Sequence, residues 1–448
     1  MIKYKRYERY KDSGVEWIGE IPEHWGVKPL KRVFKIINGG TPSSSEESYW
    51  NGEIVWVTPN DLSKLTEACI VDSERKITQD GLHNCSARIV PKGSIVISTR
   101  APIGYVAIAG VPLCTNQGCK SLVAINKVNP KYFYYWMHSI SFYLNVLGQG
   151  TTFIELSNSS LSMVELLTPS INEQKAIANF LDQKTAVIDD LIADKEKFIE
   201  LLQEKRQAII TEAVTKGLNP NVKMKDSGIE WIGEIPEHWG VSKIKFTTYV
   251  KGRIGWQGLR ADEFIDEGPY LVTGTDFVDG LVNWDSCYHI SMERYNEAPP
   301  IQLRENDLLI TKDGTIGKVA IVKNKPKYAI LNSGIFVTRP KNSAYLTEFM
   351  YWILNSQVFN KFIQYMSLGS TIVHLYQQTF ENFSFPITNL NEQKTIAHFL
   401  DRKVAEIDGL ISDIKLQIQK LKEYRQSLIS EAVTGKIDVR EFQKKNEV

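Results

Sequence analysis

The chain has 448 residues, of which 43% are hydrophobic and 23% are charged, and its formal net charge is +1. These values are typical of a soluble chain with two or three domains and hydrophobic cores. They are not typical of a free-standing DNA-binding module, which is usually distinctly basic, so any nucleic-acid surface must be a local patch.

The first residues and the cysteines indicate the cellular compartment. Residues 1–10 are charged and lack the apolar core of a signal peptide. The best candidate for a membrane span, residues 95–114, is interrupted by Arg100, Pro102 and Gly104. The five cysteines are scattered and do not suggest a disulfide framework, which fits a reducing environment. We therefore expect a cytoplasmic protein that does not enter a membrane.

A segment near the start of the chain occurs twice. Lys11–Val27 has the sequence KDSGVEWIGEIPEHWGV and Lys225–Val241 has the sequence KDSGIEWIGEIPEHWGV, so the two copies differ at one position. We call these segments the opening repeats. Each contains a histidine between tryptophans, His24 or His238, and this combination indicates a packed structural element more than a metal ligand.

The segment after each opening repeat is predicted to be a mixed α/β domain. Strand-like runs alternate with turns that contain Gly, Pro, Asn and Asp. The predicted strands are Glu53–Val57, Ser94–Ser98, Tyr105–Ile108, Asp307–Thr311 and Val319–Val322. Helices are predicted at Tyr132–Leu147 and Tyr345–Tyr365, where we expect the aromatic residues to pack helix against sheet rather than to stack on bases.

A long helix is predicted after each α/β segment. Asn172–Thr215 and Asn391–Thr434 both begin with NEQK, and the first runs for about forty residues without Gly or Pro until Gly217. At ~1.5 Å per residue, each helix would be about 60 Å long. The cap of the first helix is expected near Asn172, after Pro169.

Apolar residues recur along both helices at alternating spacings of three and four, which is the pattern of a coiled-coil seam. Because a lone helix of this length would leave its seam in water, we expect the two helices to pack together, antiparallel if a two-fold axis relates the halves. The alternative is that they are ordinary surface helices of separate domains. The predicted seam residues are Leu181, Ile188, Leu191, Phe198, Leu202, Ile209, Leu400, Ile407, Leu410, Ile414, Leu421 and Leu428.

The whole chain is therefore an internal duplication. The α/β segments between the repeated parts differ slightly in length and strongly in sequence. Weak similarities remain, because residues 93–104 parallel residues 306–317, and Gly150–Phe153 parallels Gly369–Ile372. Two copies of so large a unit predict a molecule with approximate two-fold symmetry rather than a solenoid.

The sequence contains none of the enzymatic motifs that we sought. It has no glycine-rich dinucleotide loop, and Gly314–Lys318 lacks the first glycine and the Ser or Thr of a P-loop, which favours a tight turn between two strands. An Asp/Asn-Pro-Pro-Tyr/Phe loop, which a DNA adenine methyltransferase needs, does not occur. Cys114 and Cys119 lack a second pair to complete a zinc site, so we interpret both as buried thiols.

These features resemble the specificity subunit family of type I restriction-modification systems. The similarity rests on both opening repeats and on the NEQKxIAxFLD helix openings at Asn172 and Asn391. It rests also on the shorter motifs Gly39–Ser43, Asn116–Gly118 and Leu309–Gly317. It covers essentially the whole chain, with both halves in the expected order.

The resemblance implies an α+β (mixed α/β) fold in which two target recognition domains are joined by two long helices that form an antiparallel coiled coil. It implies recognition domains at residues 1–170 and 219–389, a central repeat helix at residues 171–218 and a C-terminal repeat helix at residues 390–448. Each domain would recognise one half of a bipartite, asymmetric double-stranded DNA site, and the helices would fix the spacer between the half-sites.

The resemblance also implies partners. Two methyltransferase subunits would dock on the helices and opening repeats, and two ATP-driven restriction subunits could join the complex. S-adenosylmethionine, ATP and magnesium would bind to those partners. This chain would be a non-catalytic subunit with no cofactor and no metal site. The near-neutral charge agrees, because the methyltransferase can supply part of the phosphate contact.

The candidate DNA contacts are polar and basic residues on the divergent loops. Arginine suits guanine, and asparagine or glutamine suits adenine, in the major groove. For each residue the alternative is a turn-capping or solvated role. The candidates are Thr41, Ser43, Ser44, Asn60, Arg100 and Lys120 in the first domain, and Arg253, Trp256, Gln257, Arg260, Thr275, Lys312 and Thr315 in the second.

Three other functions are alternatives to this one. A solitary, phase-variable or phage-encoded specificity protein that redirects another system's methyltransferase would share every feature of this sequence. A self-sufficient enzyme with a fused methyltransferase is disfavoured by the missing catalytic loop. A purely structural coiled-coil protein would not need two divergent globular domains.

Overall fold

The computed structural model describes residues 4–148, 154–253, 259–366 and 374–444. The chain divides into two compact units. Unit 1 consists of residues 1–195 and 416–448, and unit 2 consists of residues 196–415. Each unit therefore contains one opening repeat, one α/β segment and a portion of each of two long helices.

The strands of unit 1 are short, and those at the centre are rich in β-branched residues and almost entirely buried. They form a five-stranded sheet of order β4-β11-β8-β9-β6, a three-stranded sheet of order β10-β5-β7, and the pairs β1-β2 and β3-β12; the bounds follow. The strands are β1 (Tyr10–Asp12), β2 (Glu20–Pro22), β3 (Gly26–Pro29), β4 (Phe34–Asn38), β5 (Trp50–Val57), β6 (Cys69–Ile70), β7 (Lys76–Ile77), β8 (Ile95–Ser98), β9 (Val106–Ala109), β10 (Cys114–Thr115), β11 (Cys119–Ala124) and β12 (Glu165–Thr168).

The helices of the first α/β segment begin at recognisable caps. Thr58 and Asp61 form a capping box at the first, and the Asn129 side chain accepts a hydrogen bond from the Tyr132 backbone at the third. The segment predicted as one helix at Tyr132–Leu147 is two helices. The bounds are α1 (Pro59–Ser63), α2 (Gln79–His83), α3 (Pro130–Ser139), α4 (Ser141–Val146), α5 (Asn158–Ser162) and, in both units, α6 (Ile171–Lys216).

Unit 2 repeats the strand order of unit 1 with one added strand. Its sheets have the orders β16-β24-β21-β22-β19-β18 and β20-β17-β23, with the pairs β13-β14 and β15-β25. The strands are β13 (Met224–Asp226), β14 (Glu234–Pro236), β15 (Gly240–Lys243), β16 (Thr248–Gly252), β17 (Ile265–Val272), β18 (Phe277–Val278), β19 (Leu281–Val282), β20 (Tyr288–His289), β21 (Leu308–Thr311), β22 (Val319–Ile321), β23 (Ala329–Leu331), β24 (Ile335–Pro340) and β25 (Ser384–Ile387).

The helices of unit 2 pack on its larger sheet through aromatic side chains. Phe349, Phe359 and Phe362 are at most 1% exposed, which confirms for them the expectation that the aromatic residues of the predicted helical segment form core. Phe380 and Phe383 are buried as well. The bounds are α7 (Ile244–Thr247), α8 (Met292–Asn296), α9 (Thr347–Leu354), α10 (Gln357–Met366), α11 (Gln377–Glu381), α12 (Leu390–Val433), which is shared between the units, and α13 (Arg440–Lys444), which belongs to unit 1.

The two long helices are present and slightly longer than predicted, with 46 residues in α6 and 44 in α12. The first helix begins one residue before the expected cap. Ser170 caps it, because its side chain accepts a hydrogen bond from the Glu173 backbone and the Glu173 carboxylate bonds back to Ser170. The predicted cap at Asn172 is therefore wrong.

Along part of each long helix, the buried residue lies one position after the predicted seam residue. Three of the predicted seam residues are exposed: Leu191 at 43%, Phe198 at 51% and Leu410 at 52%. Their neighbours Ile192 and Ile411 are buried instead, at 8% and 7%. The reason is that the first step along the buried face, from Leu181 to Thr185, is four residues rather than three. The other predicted seam residues are buried or half-buried.

Within unit 1 the portions of the two long helices run in opposite directions. Arg425 Nε lies 2.8 Å from Asp189 Oδ1, and Lys195 Nζ donates to Gln417 Oε1 at 2.7 Å. The residue number increases from 189 to 195 along α6 while that of the contacting residue decreases from 425 to 417 along α12, so the two helix portions are antiparallel. Within unit 2 the helices are joined by Arg206 and Asp408, with 2.9 Å between Nε and Oδ1.

Membrane-spanning helices are not found: over the described residues, no helix combines the length and apolar character that crossing a bilayer requires.

Candidate nucleic-acid interface

The opening repeat of unit 1 is anchored to the first turn of α6. Glu173 Oε1 lies 2.7 Å from His24 Nε2 and accepts a hydrogen bond from Trp25 Nε1 at 3.2 Å. Burial raises the pKa of Glu173, but the hydrogen bonds from His24, Ser170 and Trp25 outweigh burial, so the pKa lies below its usual value. This carboxylate is therefore held ionised as a structural acceptor.

Unit 2 contains the same anchor. His238 Nε2 lies 3.0 Å from Glu392 Oε2, and the pKa of Glu392 is also lowered, because hydrogen bonds from Thr388 and His238 outweigh the effect of burial. The expectation that the repeated histidine belongs to a packed structural element is confirmed for both copies. Within the described residues, no three His, Cys, Asp or Glu side chains are grouped to hold a metal ion.

Two further residues of each helix opening position the α/β segments. The Gln174 amide accepts from the Asn129 backbone at 2.9 Å, where α3 begins, and Gln393 accepts from the Leu346 backbone at 2.8 Å, where α9 begins. About two turns further along the helix, Asp182 accepts from Tyr135 Oη at 2.8 Å. The equivalent residue Asp401 accepts from Trp352 Nε1 at 2.9 Å. The repeated helices thus fix each α/β segment by the same contacts.

A polar groove with a volume of about 470 Å³ opens on the first α/β segment at the ends of its larger sheet. Arg100 follows β8, and its Nε donates to Glu155 Oε2 at 2.9 Å. Lys120 lies on β11, and its Nζ donates to the Leu156 carbonyl and lies 4.0 Å from Glu155 Oε1. The side chains of Asn38 and Gln117 also line the groove.

The two cations of this groove differ in exposure. The Arg100 side chain is 46% exposed, whereas Lys120 is 5% exposed and lies on a strand. Burial lowers the pKa of Lys120, and Glu155 opposes this effect. The expectation of an exposed loop residue is therefore wrong for Lys120, which lies beneath the groove. Arg100 is the cation that a ligand in the groove would meet first.

The other candidates of the first domain are exposed; three lie on loops, as predicted, whereas Asn60 lies in a helix. Thr41 donates to Gln117 at the edge of the groove. Ser43 pairs with Ser45, and its carbonyl accepts from Trp50 Nε1 at 3.0 Å. Ser44 is exposed. Asn60 is in the first turn of α1 and donates to Glu74 at 3.1 Å. The structure therefore brings Thr41, Arg100 and Lys120 to one groove.

Arg253 in unit 2 differs from its prediction, because only 3% of the residue is exposed. Its Nε donates to the Leu331 carbonyl at 3.0 Å, at the junction of the two sheets. Burial lowers the pKa of Arg253 to about 10, so the guanidinium remains charged at neutral pH. The expectation of an exposed loop arginine is wrong, since the strand β16 delivers Arg253 into the interior.

The remaining candidates of unit 2 surround several turns. Arg260 and Thr275 are exposed, and Thr275 Oγ1 lies 2.7 Å from Thr273 Oγ1. Lys312 and Thr315 lie on the tight turn between β21 and β22, as predicted for this segment, and Lys312 Nζ is 5.3 Å from the ring centre of Phe336. Trp256 and Gln257 lie outside the described residues, as do Gly150–Phe153 and Gly369–Ile372.

The predicted buried thiols are confirmed. Cys114 and Cys119 are fully buried and free, and burial raises the pKa of the Cys114 thiol to about 12. Neither thiol is therefore a thiolate at neutral pH, which is the form that binds metals.

The family model of the type I restriction modification DNA specificity domain matches residues 22–201 and 254–420. This chain belongs to that family. The match includes most of both α/β segments and most of both long helices, in agreement with the duplication described above.

Relatives in the specificity family match along most of their length. The type I restriction enzyme MjaIX specificity subunit of Methanocaldococcus jannaschii is 31% identical over 464 residues, which cover 99% of this chain and 99% of the relative. The type I restriction enzyme EcoBI specificity subunit of Escherichia coli is 23% identical and covers 91% of this chain and 80% of the relative.

Solved structures show the same fold. A chain from a structure of the type I R-M system has a TM-score of 0.71 and 15% identity, and covers 92% of this chain and 98% of its own length. The HsdS subunit from Thermoanaerobacter tengcongensis has a TM-score of 0.52 and 16% identity, and covers 93% and 98%. These likenesses support the fold of the specificity family.

Sequence reasoning missed several side chains of the groove and of its counterpart in unit 2. Asn38, Gln117 and Glu155 line the groove with Arg100, and in unit 2 Asp313 pairs with His374 at the turn between β21 and β22. The sequence did contain one signal for Asp313, which is the similarity of residues 93–104 to residues 306–317. When the two halves of this chain are aligned through these segments, Asp313 occupies the position equivalent to Arg100.

Proposed function

We propose that this chain recognises a bipartite, asymmetric double-stranded DNA site as the specificity subunit of a type I restriction-modification complex, with one half-site bound by each recognition domain. As a member of the specificity family it is not itself an enzyme. The observation that carries the proposal is the contrast between a duplicated scaffold and two dissimilar α/β surfaces. A shared scaffold suits two copies of one partner, whereas dissimilar surfaces suit two different half-sites.

The two recognition domains are assigned to residues 1–170 and 219–389, and the repeat helices to residues 171–218 and 390–448. We propose that α6 and α12 form one antiparallel coiled coil that sets the spacer between the half-sites. The antiparallel contacts within unit 1 and the alternation of buried positions along both helices support this arrangement.

We propose that the exposed faces of the helices and the opening repeats dock two methyltransferase subunits, and that two restriction subunits join the assembled complex in the cytoplasm. S-adenosylmethionine, ATP and magnesium would be held by those partners. The repeated contacts of His24 and His238 with the helix openings support two equivalent docking surfaces, because they present the same backbone frame in each unit.

The groove beside Arg100 is proposed as the DNA contact of the first domain, and the turn that carries Lys312 and Thr315 as that of the second. Both contain a cation and polar groups that can contact phosphates or base edges. Thr41, Ser43, Ser44 and Asn60 in the first domain remain candidate contacts, as do Arg260, Thr275, Trp256 and Gln257 in the second. Lys120 and Arg253 would act from beneath their surfaces.

The test is co-expression of this chain with the methyltransferase subunit of its own system, followed by sequencing of N6-methyladenine in the host DNA. One new methylation motif with two half-sites and a fixed gap is the expected result. A stable complex that gives no motif, or a motif that is continuous rather than split, would contradict the proposal. Absence of a complex would contradict the assignment of the partner.

A further inference from the structure

The turn after β8 in unit 1 and the turn after β21 in unit 2 are closed by the same backbone hydrogen bonds. In the first, Gly104 N donates to Ser98 O at 3.1 Å and Ser98 N donates to Tyr105 O at 2.9 Å. In the second, Gly317 N donates to Thr311 O at 3.0 Å and Thr311 N donates to Lys318 O at 2.9 Å. The turns at residues 99–105 and 312–318 are therefore structural equivalents.

A hydroxyl group locks both turns in the same way. Ser98 Oγ accepts from the Tyr105 backbone at 2.9 Å, and Thr311 Oγ1 accepts from the Lys318 backbone at 2.9 Å. Such local side-chain to backbone hydrogen bonds stabilise turns. The tips of the turns differ, because the Ala101–Pro102 peptide bond is cis in the first and Gly314 has a φ of 66° in the second, and the turns also display different side chains.

A second chain segment crosses each turn at the same place. Leu156 N donates to Thr99 O at 2.8 Å, and Leu375 N donates to Lys312 O at 2.8 Å. As a result Arg100 forms an isolated antiparallel bridge with Glu155, and Asp313 forms one with His374. Each turn thus presents one pair of facing residues at an equivalent position.

The two pairs have opposite polarity. In unit 1 the residue on the turn is the cation, Arg100, and its facing residue is the carboxylate, Glu155. In unit 2 the residue on the turn is the carboxylate, Asp313, and its facing residue is His374, whose Nδ1 donates to it. The side chains of the first pair are 46% exposed for Arg100 and 39% for Glu155, and those of the second pair are 43% exposed for Asp313 and 32% for His374. Each pair is therefore accessible to a ligand.

We propose that these two pairs determine base specificity in the two half-sites, an inference that rests on the proposed function. Arg100 donates to a guanine of the first half-site, and Asp313 accepts from the exocyclic amino group of a cytosine of the second. Glu155 and His374 are positioning residues, because each holds the turn residue by one atom and leaves its remaining polar atoms for the base.

The chemistry of the base edges selects guanine for Arg100. Guanine presents two acceptors, N7 and O6, in the major groove, and an arginine matches them with two donors. Glu155 engages Nε, and the two terminal nitrogens of Arg100 make no hydrogen bond to the described residues. Those two donors form the planar fork that the guanine edge requires.

The same reasoning selects cytosine for Asp313. An ionised carboxylate only accepts hydrogen bonds, and cytosine presents its N4 amino donor in the major groove. Adenine also has an amino donor there, but its N7 acceptor lies beside it and would repel the second carboxylate oxygen. Each pair therefore directs its own domain toward a G·C base pair, through the guanine for Arg100 and through the cytosine for Asp313.

The experiment uses the full-length chain in complex with its methyltransferase subunits. Duplexes with randomised half-sites are selected by binding to the complex and then sequenced. The variants Arg100→Ala, Arg100→Lys and Asp313→Asn are compared with wild type. Arg88→Ala and Asp266→Asn are matched controls, since both residues are exposed in the same α/β segments.

We expect Arg100→Ala to relax one guanine position of the first half-site by roughly 5- to 150-fold and to leave the second half-site unchanged. Arg100→Lys should keep much of the affinity but lose the discrimination, because lysine lacks the planar fork. Asp313→Asn should relax one cytosine position of the second half-site only. The controls should select the wild-type site.

The possible failures are distinguishable. If the wild-type complex selects no split site, the proposed function is wrong. If it selects a split site whose half-sites lack a G·C pair, or if the variants retain full discrimination, the proposed function stands and the specificity pairs are overturned. A loss of both half-sites in one variant, with a lowered melting temperature, would assign that pair a structural role and would also overturn the proposal.

Discussion

In both units the end of a long helix packs against an opening repeat, but the chain connects these two parts differently in the two units. In unit 2 the chain continues from α6 through Gly217 into the opening repeat, so the helix end and the repeat are covalently joined. In unit 1 the equivalent helix end belongs to α12, and the two ends of the chain meet without a covalent link. There, Asp438 N donates to Lys5 O at 2.8 Å, and the Arg440 guanidinium lies 4.8 Å from the ring centre of Tyr7.

The packing at the two helix ends is nevertheless alike. Gly217 has a φ of 73° and Gly435 a φ of 71°, and each lies against the tryptophan of an opening repeat. An added Cβ would lie 3.3 Å from Trp239 at the first position and 2.5 Å from Pro22 at the second. Side-chain packing and backbone conformation therefore define the junction, and covalent continuity is not required for it.

The largest effect is expected from the tryptophans at these junctions. Trp25 and Trp239 are at most 1% exposed, so Trp25→Ala or Trp239→Ala should each lower the free energy of unfolding by about 3–5 kcal/mol. Hydrogen exchange followed by mass spectrometry would locate the loss. We expect increased exchange in unit 1 for the first variant and in unit 2 for the second.

The comparison between the two variants tests the role of covalent continuity. If continuity adds little, the two losses should be similar. If Trp25→Ala releases both chain ends of unit 1 while Trp239→Ala leaves unit 2 closed, the covalent link carries the junction. Exposed Trp17→Ala, at 40% exposure, is the matched control and should change stability less.

The next effect tests the buried face of the long helices. Ile192→Ala and Ile411→Ala should each cost about 2–4 kcal/mol, because both side chains are buried. Leu191→Ala and Leu410→Ala, one residue earlier, should stay within about 0.5 kcal/mol because both are exposed. Denaturant unfolding of the four variants gives their free energies of unfolding. Equal losses of stability for Ile192→Ala and Leu191→Ala, or for the corresponding two variants of α12, would contradict the observed register.

The sequence was sufficient to predict the duplication, both long helices and the turn between β21 and β22. It was not sufficient to select the register of the buried face. Leu191 and Ile192 are both apolar, as are Leu410 and Ile411, so spacings of three then four and of four then three match the sequence about equally well. Packing against the rest of the protein decides between them.

The candidate site shows a second limit of the sequence. Arg253 and Lys120 were expected on exposed loops because cations usually are, yet both are delivered into the interior by strands and satisfied there by backbone carbonyls. Glu155 was missed because its partner Arg100 lies 55 residues away, and a pairing over such a separation depends on the tertiary fold.

A smaller effect concerns acid stability of the two anchors. The pKa values of Glu173 and Glu392 are lower in the folded chain than the ordinary 4.5. The stability that they contribute is therefore fully present above about pH 4.5 and is lost as pH falls through the lower folded-state pKa values. In the variants Glu173→Gln and Glu392→Gln, the free energy of unfolding should therefore fall less than in wild type as the pH is lowered below about 4.5.

The two anchors should not respond equally. The Glu173 side chain is 8% exposed and also accepts from Trp25, whereas the Glu392 side chain is 27% exposed. Thermal melts at a series of pH values should show a larger change for Glu173→Gln. A larger change for Glu392→Gln would mean that its hydrogen bonds, and not burial, set the strength of the anchor.

The smallest effect is expected from the ion pairs that join the helix portions in each unit. Arg206 with Asp408 in unit 2 and Arg425 with Asp189 in unit 1 occupy equivalent positions of the duplication, and the two aspartates are 50% and 51% exposed. Solvent screens such pairs, so double-mutant cycles to alanine should give coupling energies of about 0.2–1 kcal/mol in both units. Added salt should weaken both equally. A coupling energy well above 2 kcal/mol in one unit alone would contradict the equivalence of these two ion pairs. It would mean that the units differ in their helix contacts as well as in their junctions.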